Sequence, residues 1–252
     1  MKILFTICGR AGSKGIKNKN IRNFLDKPLP LYTISAIDLC LKQMPDVDYE
    51  IAVNTDSKEL KEICEKNELR KITCVKRKEE LAGDKVGKVA VIEDTLRCME
   101  ENGGCFDMVI DLDLTSPLRK KNDLLNVIHE KSNYDFDVVF TCTDSRRNPY
   151  FNMVKKNKDG FFELVISSDY TARQQAPELF DMNASIYAYS PSFLKEKKTI
   201  FEGKCGMVKM QDTGILDLDH ENDFTLMEVI AKWLYENNKE YNVIYENINS
   251  GD

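Results

Sequence analysis

The chain opens with KILFTICGRAGSKG at residues 2–15, and the rest of the predicted fold is arranged around this stretch. Residues 2–8 form a short apolar run rich in strand-forming residues, followed directly by three glycines and two basic side chains. This order predicts a buried first strand that opens into a glycine-rich basic loop. Glycine lets backbone N–H groups turn towards oxygen atoms, and cationic side chains add charge-assisted hydrogen bonds. Such a loop is suited to binding phosphates.

The local charge supports this interpretation. Six basic residues and no acidic residue precede Asp26, although the formal net charge of the chain is −6. The glycine spacing fits neither a P-loop nor a G-x-G-x-x-G dinucleotide fingerprint. A basic surface turn after an edge strand is the alternative, but the strand context and the reversal of charge favour phosphate binding. The candidate residues are Gly9, Arg10, Gly12, Ser13, Lys14, Gly15, Lys19 and Asn20.

Length and composition limit the class of protein. The 252 residues, 42% hydrophobic and 31% charged, suffice for one large α/β domain or two small ones. The acidic balance argues against a nucleic-acid partner, and no apolar run approaches the ~18 residues of a membrane span. The first residues do not resemble a signal peptide, and the eight cysteines include no C-x-x-C pair. We therefore expect a cytoplasmic chain without a membrane partner, whose cysteines serve as small buried hydrophobes.

The middle of the chain alternates between strand and helix patterns, which predicts a mostly parallel sheet with right-handed crossovers. The predicted strands are residues 49–53, 72–75, 107–112 and 136–142, and the predicted helices are residues 31–41, 57–67, 88–101 and a segment ending near 132. Ligands bind such sheets beyond the carboxyl ends of the strands. The glycine-rich loop, Asp56, Asp113 and the segment after Cys142 would share that edge.

The pattern changes in the last third of the chain. Residues 144–182 lack helical periodicity and contain a predicted hairpin around residues 157–160, so we expect a lid or dimer arm that leaves the sheet. A strand at residues 183–189 would return to the core, and residues 216–219 would end another strand. Residues 222–236 predict an amphipathic helix, and the polar residues 238–252 a frayed end. One domain spans residues 1–252 in this interpretation.

Two pairs of aspartates suggest a metal site. On an extended strand, Asp217 and Asp219 would point the same way, with Cα atoms about 6.5–7 Å apart. That arrangement suits a hard cation such as Mg²⁺, held by carboxylates, phosphate oxygens and water. Asp111 and Asp113 repeat the spacing. A single such pair is more often a solvated strand end, but two pairs near a phosphate-type loop favour metal binding.

Four ordered blocks resemble the acylneuraminate (CMP-sialic acid type) cytidylyltransferases. Residues 10–15 and 19–21 match the signature R-x-G-S-K-G followed by K-N-I, and residues 115–119 match T-S-P-L-R. Residues 173–177 and 183–187 resemble R-Q-x-x-P and N-G-A-I-Y, and residues 216–224 resemble D-I-D-x-x-x-D-F. The matches cover nearly the whole chain and are far more specific than a lone glycine loop.

The resemblance implies that a sialic-acid-like nonulosonic acid reacts with CTP to give the CMP-sugar and pyrophosphate. It also implies a Rossmann-like nucleotidyltransferase sheet and a homodimer whose arm reaches the partner's site. Arg10, Lys14 and Lys19 would hold the triphosphate, Asp217 and Asp219 would hold Mg²⁺, and Asp113 would be a further ligand or a general base. Gly83 and Asp84 would contact the cytidine, and Arg173, Gln174 and Asn183 would face the sugar.

Two departures from the family pattern bear on the sugar. Asp113 stands where many sialic-acid enzymes have glutamine, and Asn183-Ala184-Ser185 replaces N-G-A. Together with RNPYFN at residues 147–152, these departures look more like the legionaminic-acid branch. Cytidylyltransferases for N-acetylneuraminate or 3-deoxy-manno-octulosonate and a hexose-1-phosphate nucleotidyltransferase are the alternatives within the same class. A metal-dependent glycosyltransferase and a non-catalytic nucleotide-binding protein are more remote.

Overall fold

The computed structural model describes residues 1–12, 16–83, 85–196, 199–214 and 218–249. In the described residues, the strands are β1 Lys2–Cys8, β2 Asn23–Phe24, β3 Lys27–Pro28, β4 Asp48–Thr55, β5 Thr73–Lys76, β6 Met108–Leu112, β7 Val138–Asp144, β8 Val154–Lys156, β9 Phe162–Leu164, β10 Phe180–Tyr189 and β11 Cys205–Lys209. The α-helices there are α1 Leu29–Leu41, α2 Lys58–Lys66, α3 Lys88–Glu101, α4 Lys121–Asn133, α5 Pro191–Lys195, α6 Glu221–Asn237 and α7 Lys239–Asn249.

Seven of these strands form one sheet in the order β11-β7-β10-β6-β1-β4-β5. Strand β10 runs antiparallel to both β6 and β7, and the other neighbours in the sheet are parallel. The prediction of an α/β fold with a mostly parallel sheet is therefore confirmed. The Rossmann-like order puts the carboxyl ends of β1, β4 and β6 side by side, where a ligand site is expected.

Helices cover both faces of the sheet, and alternate side chains of β1 pack against them on opposite faces. Ile3, Phe5 and Ile7 are fully buried against α1, α2 and α4. Leu4 points to the opposite face, where it packs with residues of α3 and α5. Thr6 and Cys8 share that second face by the period of two along a strand. The side of the sheet covered by α3 therefore carries the polar end of β1.

Helix α7 corrects the prediction of a frayed end at residues 238–252 for the part up to residue 249; residues 250–252 lie outside the described residues. Tyr241, Ile244 and Ile248 are buried against α1 and α6, and their spacing of three and four residues places them on one helical face. Three apolar residues among many polar ones gave too weak a signal in the sequence. Packing onto the outer face of α1 stabilises the helix, as tertiary contacts usually do.

The segment between β7 and β10 leaves the sheet as predicted. Strands β8 and β9 form a hairpin closed by Asn157 N–H donating to the Phe161 carbonyl at 2.8 Å. Phe161 and Phe162 are each 71% exposed. A two-stranded ribbon that presents phenylalanines to solvent lacks a core of its own, and such an apolar surface is typical of an interface.

The prediction of a strand end at residues 216–219 is wrong for the part that the structure describes. Leu218 and Asp219 belong to no strand, and residues 215–217 lie outside the described residues. Leu218 is fully buried among residues of α6 and α7, and the backbone N–H groups of Asp219 and His220 donate to the Asp223 carboxylate. This segment therefore caps α6. Strand β11, in turn, was not predicted.

Two further expectations concern cysteines and membranes. Cys40, Cys64 and Cys142 are buried, whereas Cys105 is exposed, so the expectation of buried cysteines holds for only part of the set. Across the described ranges, no helix is long and apolar enough to cross a membrane. The single domain over residues 1–252 stays a prediction.

Candidate active site

The loop after β1 is held by contacts with the neighbouring strand and helix. A Cβ atom on Gly9 would lie 2.4 Å from Leu60 Cδ2 and 2.7 Å from Leu114 Cδ1, so a larger residue would force both buried leucine side chains to move. The Ala11 N–H donates to Asp56 Oδ1 at 2.6 Å, and the Asn20 side-chain amide donates to the Arg10 carbonyl at 3.1 Å. These contacts fix the backbone on both sides of the loop.

Gly12 lies at a second position that requires glycine, because its φ is +74°. The predicted site residues Ser13, Lys14 and Gly15 fall outside the described residues, and so do Asp84 and Asp217. The description resumes at Ile16, which is fully buried and packs with Phe24 and Leu29. Both ends of the glycine-rich loop are thus anchored in the core.

A cavity of about 250 Å³ lies beside this loop, at the carboxyl ends of β1 and β6. It brings six predicted site residues together, and they share it with residues that follow β5 and begin α3. Its lining includes four cationic side chains and one carboxylate, so the cavity attracts anions. The lining residues are Cys8, Arg10, Gly12, Lys19, Asn20, Arg77, Leu81, Gly83, Val86, Lys88, Val91, Asp113 and Thr115.

Lys88, the first residue of α3, was not predicted as a site residue and lies at the centre of the cavity's charge network. Its Nζ atom is 2.7 Å from Asp111 Oδ2 and 2.7 Å from Asp113 Oδ2. Burial alone would lower the pKa of Lys88, but the charges of Asp111 and Asp113 outweigh burial and hold the pKa well above its ordinary value. Lys88 is therefore a permanent cation.

Asp113 is locked in its ionised form. Its Oδ1 atom accepts hydrogen bonds from the Thr115 N–H at 2.8 Å and from Thr115 Oγ1 at 2.7 Å. Burial favours its neutral form, but the charge of Lys88 and these hydrogen bonds hold the pKa well below its usual range. A carboxylate with such a low pKa is a weak base at neutral pH. This geometry favours a positioning role for Asp113 over the predicted role of a general base.

Arg77, which directly follows β5, is a second site residue missed by sequence reasoning. Its Nε atom donates to Asn54 Oδ1 and its Nη2 atom to the Asn54 carbonyl, each at 3.0 Å. Burial lowers its pKa, but an arginine remains charged at neutral pH. The signal was present, since Arg77 occupies a strand-end position like those that marked Asp56 and Asp113.

Lys19 connects this cavity with the C-terminal part of the chain. Its Nζ atom lies 3.4 Å from Asp219 Oδ1, and nearby Arg22 pairs with Glu221 at 2.5 Å. The side chain of Asp219 is 65% exposed and so remains open to further ligands. Residues from the two ends of the sequence therefore lie side by side at the cavity.

The predicted magnesium site is only partly within the described residues. There, no group of three or more His, Cys, Asp or Glu side chains is placed to hold a metal ion. Mg²⁺ is commonly bound by one or two carboxylates together with substrate phosphates and water. The exposed Asp219 carboxylate beside a phosphate-type cavity fits that donor set. The metal therefore stays a prediction.

Arg119 is buried behind the cavity, where it ties three segments together. Its guanidinium donates to Ser185 Oγ at 2.8 Å, to Thr33 Oγ1 at 3.1 Å, to the Ser185 carbonyl at 3.0 Å and to the Asp113 carbonyl. Burial lowers its pKa to about 10. The T-S-P-L-R motif contains Arg119, but sequence reasoning gave this residue no role.

The predicted sugar-facing residues lie outside the charged cavity. Asn183 lines a separate pocket of about 20 Å³ with Ser116 and Met210, and its Oδ1 atom accepts from Thr141 Oγ1 at 2.6 Å. Arg173 and Gln174 lie on an exposed turn, where Arg173 donates to the Ser145 carbonyl at 2.8 Å. Neither the pocket of Asn183 nor the charged cavity is lined by Arg173 or Gln174.

A larger cavity of about 750 Å³ lies between α3 and the turn Ile200–Glu202. Its walls combine Val89, Ile200 and Phe201 with side chains of both charges. The described residues of the glycine-rich loop take no part in it. We therefore place the candidate active site in the smaller, cationic cavity.

Comparison with known proteins gives a consistent result. A sequence model of the family described as "Cytidylyltransferase" matches residues 4–248. A flagellin modification protein of Campylobacter coli, "Post-translational flagellin modification protein B", is 36% identical over 232 residues, which are 92% of this chain and 95% of that protein. The CMP-N,N'-diacetyllegionaminic acid synthase of Campylobacter jejuni is 35% identical over 237 residues, covering 91% and 94%.

More distant proteins share the fold. The N-acylneuraminate cytidylyltransferase of Streptococcus agalactiae is 28% identical over 250 residues, covering 98% of this chain and 57% of that protein. The solved structure of CMP:2-keto-3-deoxy-manno-octonic acid synthetase complexed with CTP superposes with a TM-score of 0.61 at 16% identity. That match covers 94% of this chain and 100% of the other. At this identity the likeness establishes the Rossmann-like nucleotidyltransferase fold alone.

Proposed function

Because the chain belongs to the cytidylyltransferase family, we propose that it joins CTP to a nonulosonic acid of the legionaminic type, releasing pyrophosphate. The observation that carries the proposal is the cationic cavity beside the glycine-rich loop, where Lys19 and Asp219 meet. The sugar class is taken from the C. jejuni synthase, which matches over most of both chains.

The proposed reaction is in-line attack of the sugar's anomeric hydroxyl oxygen on the α-phosphorus of CTP. Such a transfer depends on positioning and on neutralising charge rather than on covalent help from the protein. Arg10 and Lys19 line the cavity and would hold the triphosphate and the leaving pyrophosphate, together with Lys14. The N–H groups of the glycine-rich loop would add hydrogen bonds to phosphate oxygens.

Asp219, with Asp217, would hold Mg²⁺ against the triphosphate. Magnesium supplies charge neutralisation and a lower pKa for the attacking hydroxyl group when bound. The contribution of the chain is placement, since Lys19 and Asp219 are neighbours and would meet the phosphate chain and its metal ion at the same side of the cavity.

The other end of the cavity suits the cytosine base. Leu81, Val86 and Val91 provide apolar walls, and Gly83 leaves room beside them. The predicted contact from Gly83 therefore remains part of the proposal, together with Asp84. Arg77 provides a fixed guanidinium, which can donate to the carbonyl and ring-nitrogen acceptors of the base.

The sugar is proposed to bind between the pocket of Asn183 and the turn that carries Arg173 and Gln174. A guanidinium matches the sugar carboxylate in shape and charge. Since Arg173 and Gln174 are exposed, closure of the arm over the bound sugar would complete this part of the site. Because the reaction uses CTP, we propose that it takes place in the cytoplasm.

The test supplies the purified protein with CTP, Mg²⁺ and, in turn, N,N'-diacetyllegionaminic acid, N-acetylneuraminic acid and 3-deoxy-manno-octulosonic acid. Pyrophosphate release is followed, and products are identified by mass. We expect a CMP-sugar to form fastest with the legionaminic acid. Preference for another acid corrects the sugar, and absence of any CMP-sugar overturns the activity. UTP and GTP in place of CTP test the base.

Two variants sharpen this test. Asp219→Asn should remove turnover without loss of fold, because it takes away one of the proposed metal ligands. Asp46→Asn, at an exposed turn near the amino ends of the strands, is the matched control and should behave like the wild type. Equal turnover in the two variants would contradict the role of Asp219.

We also propose that the chain forms a homodimer through the arm at residues 144–182. The exposed Phe161 and Phe162 of the hairpin support this, since two adjacent solvent-facing phenylalanines form an apolar patch of the kind that a partner covers. Sedimentation should show a dimer for the wild type and a monomer for the double variant Phe161→Ser/Phe162→Ser. Trp233→Ser, which changes an exposed aromatic residue of α6, should remain dimeric.

A further inference from the structure

Asp111 and Asp113 have the geometry of a cation site that is already filled. They lie at the end of β6 with one residue between them, and the Oδ2 atoms of both carboxylates point at the same Nζ atom of Lys88. Both distances are 2.7 Å, so the ammonium group bridges the pair symmetrically. Neither carboxylate is closer to Lys88 than the other.

The burial of Asp111 shows that a cation is needed at this point. Its side chain is 0% exposed, and its Oδ1 atom accepts from Thr6 Oγ1 at 2.9 Å. Its Oδ2 atom makes no well-aligned hydrogen bond within the described residues, so the charge of Lys88 is what compensates it. A buried carboxylate without a counter-charge would be strongly destabilising.

We propose that Lys88 is a built-in cation that occupies the place of a divalent metal ion between Asp111 and Asp113. The pair has the oxygen donors and the spacing of a metal site, but in this chain it orients an ammonium group instead. Lys88 thereby becomes a fixed positive charge in the wall of the cavity, held at two points. It is a positioning residue, and the start of α3 fixes where its side chain enters the cavity.

A fixed ammonium group has a consequence for where a metal ion binds. An ion that approached the end of β6 would meet the charge of Lys88 and would be repelled. Asp219 is held less closely, because Lys19, its ion-pair partner among the described residues, is 3.4 Å away and its side chain is 65% exposed. Lys88 therefore directs a metal ion away from β6 and towards the C-terminal aspartates. The occupation of the Asp111–Asp113 pair by Lys88 goes beyond the proposed function, and only the direction of a metal ion towards Asp219 rests on that function.

The test is Mn²⁺ binding to the whole protein in the absence of nucleotide, measured by electron paramagnetic resonance of the free ion. The variant Lys88→Met removes the charge and keeps a similar side-chain length. We expect Lys88→Met to bind one Mn²⁺ per chain more than the wild type does. The double variant Lys88→Met/Asp111→Asn should lose that additional ion, because one of the two carboxylates is gone.

Two further variants serve as controls. Lys88→Arg keeps the positive charge and should bind no additional Mn²⁺. Lys78→Met also removes a lysine from a buried aspartate, since Lys78 Nζ lies 2.5 Å from Asp94 Oδ1. Among the described residues, no second carboxylate forms an ion pair with Lys78 Nζ. Lys78→Met should therefore gain no ion either.

Folding is followed in parallel by thermal denaturation with and without Mn²⁺. If Lys88→Met is unstable, Mn²⁺ should raise its melting temperature and should not raise that of the double variant. A folded Lys88→Met protein that binds no additional Mn²⁺ overturns the proposal. Failure of Lys88→Met to fold even in Mn²⁺ overturns it as well, because a metal ion could then not replace the ammonium group.

Discussion

Lys19 Nζ lies 3.4 Å from Asp219 Oδ1, although 200 residues separate the two in the sequence. An ion pair this exposed contributes little to stability. Its significance is its location, since Lys19 also lines the cationic cavity next to the glycine-rich loop. The pair brings the first loop and the segment before α6 to one side of that cavity, and the proposed catalytic arrangement depends on this meeting.

Lys19→Met should weaken CTP binding because it removes a charge-assisted contact with the triphosphate. The expected loss is about 10- to 100-fold in Kd, which corresponds to roughly 1.5–3 kcal/mol. The melting temperature should hardly change. Calorimetric titration with CTP measures the effect, and Lys17→Met, an exposed lysine of the same loop, is the control. Equal CTP affinities in the two variants would refute the role of Lys19.

Arg119→Met should destabilise the fold, because it leaves the Ser185 carbonyl and other buried acceptors without their donor. We expect the free energy of unfolding to fall by about 2–4 kcal/mol, measured by urea denaturation. Arg119→Lys keeps the charge but cannot reach several acceptors at once, so it should fall between the wild type and Arg119→Met. A loss below about 0.5 kcal/mol in Arg119→Met, the size typical of a surface substitution, would contradict this account.

The parts of the fold that depend on the order of neighbouring residues in the sequence were predictable. The apolar run of β1, the glycines at 9 and 12 and the alternation of strands with helices gave the sheet and the edge at which the site lies. The rule that ligands bind at strand ends then selected Asp113 correctly as a residue of the cavity. Each inference needed only neighbouring residues and a general rule of topology.

Features that depend on contacts between distant segments were not predictable. The bridge from Lys88 to Asp111 and Asp113 requires the start of α3 to pack beside the end of β6, which no spacing in the sequence reveals. Helix α7 forms because α1 offers it an apolar face. Leu218 belongs to no strand of the sheet and is buried against α6 instead.

Ala184 should be a point of backbone strain that glycine relieves. Its φ is +50°, in the left-handed region, at an irregularity of β10 between Met182 and Tyr187. Such a conformation costs a non-glycine residue about 1–2 kcal/mol. Ala184→Gly should therefore raise the free energy of unfolding, by up to about 1 kcal/mol after the entropy cost of glycine, and Ala184→Val should lower it. Chemical denaturation of both variants checks the signs, and a destabilised Ala184→Gly would contradict the argument.

Asp38 should make stability depend on pH in the acid range. Burial favours its protonated form, but hydrogen bonds from Lys42, Asn247 and Arg70 outweigh burial, so its pKa is lowered from 3.8. The ionised group therefore stabilises the fold fully above the unfolded pKa, and this contribution is lost as the pH falls through the lower folded pKa. Asp38→Asn should differ most from the wild type at neutral pH. Denaturation curves between about pH 7 and pH 2 should show the difference shrinking in acid, and a constant difference would exclude this role.

A crystal structure of the protein with CTP and Mg²⁺ would locate the triphosphate directly. We predict that it lies in the cavity lined by Arg10, Lys19 and Lys88, with the metal ion against Asp219 and the base beside Arg77. Electron density for the triphosphate elsewhere, for example in the larger cavity beside Phe201, or a metal ion bound between Asp111 and Asp113, would contradict the proposed arrangement.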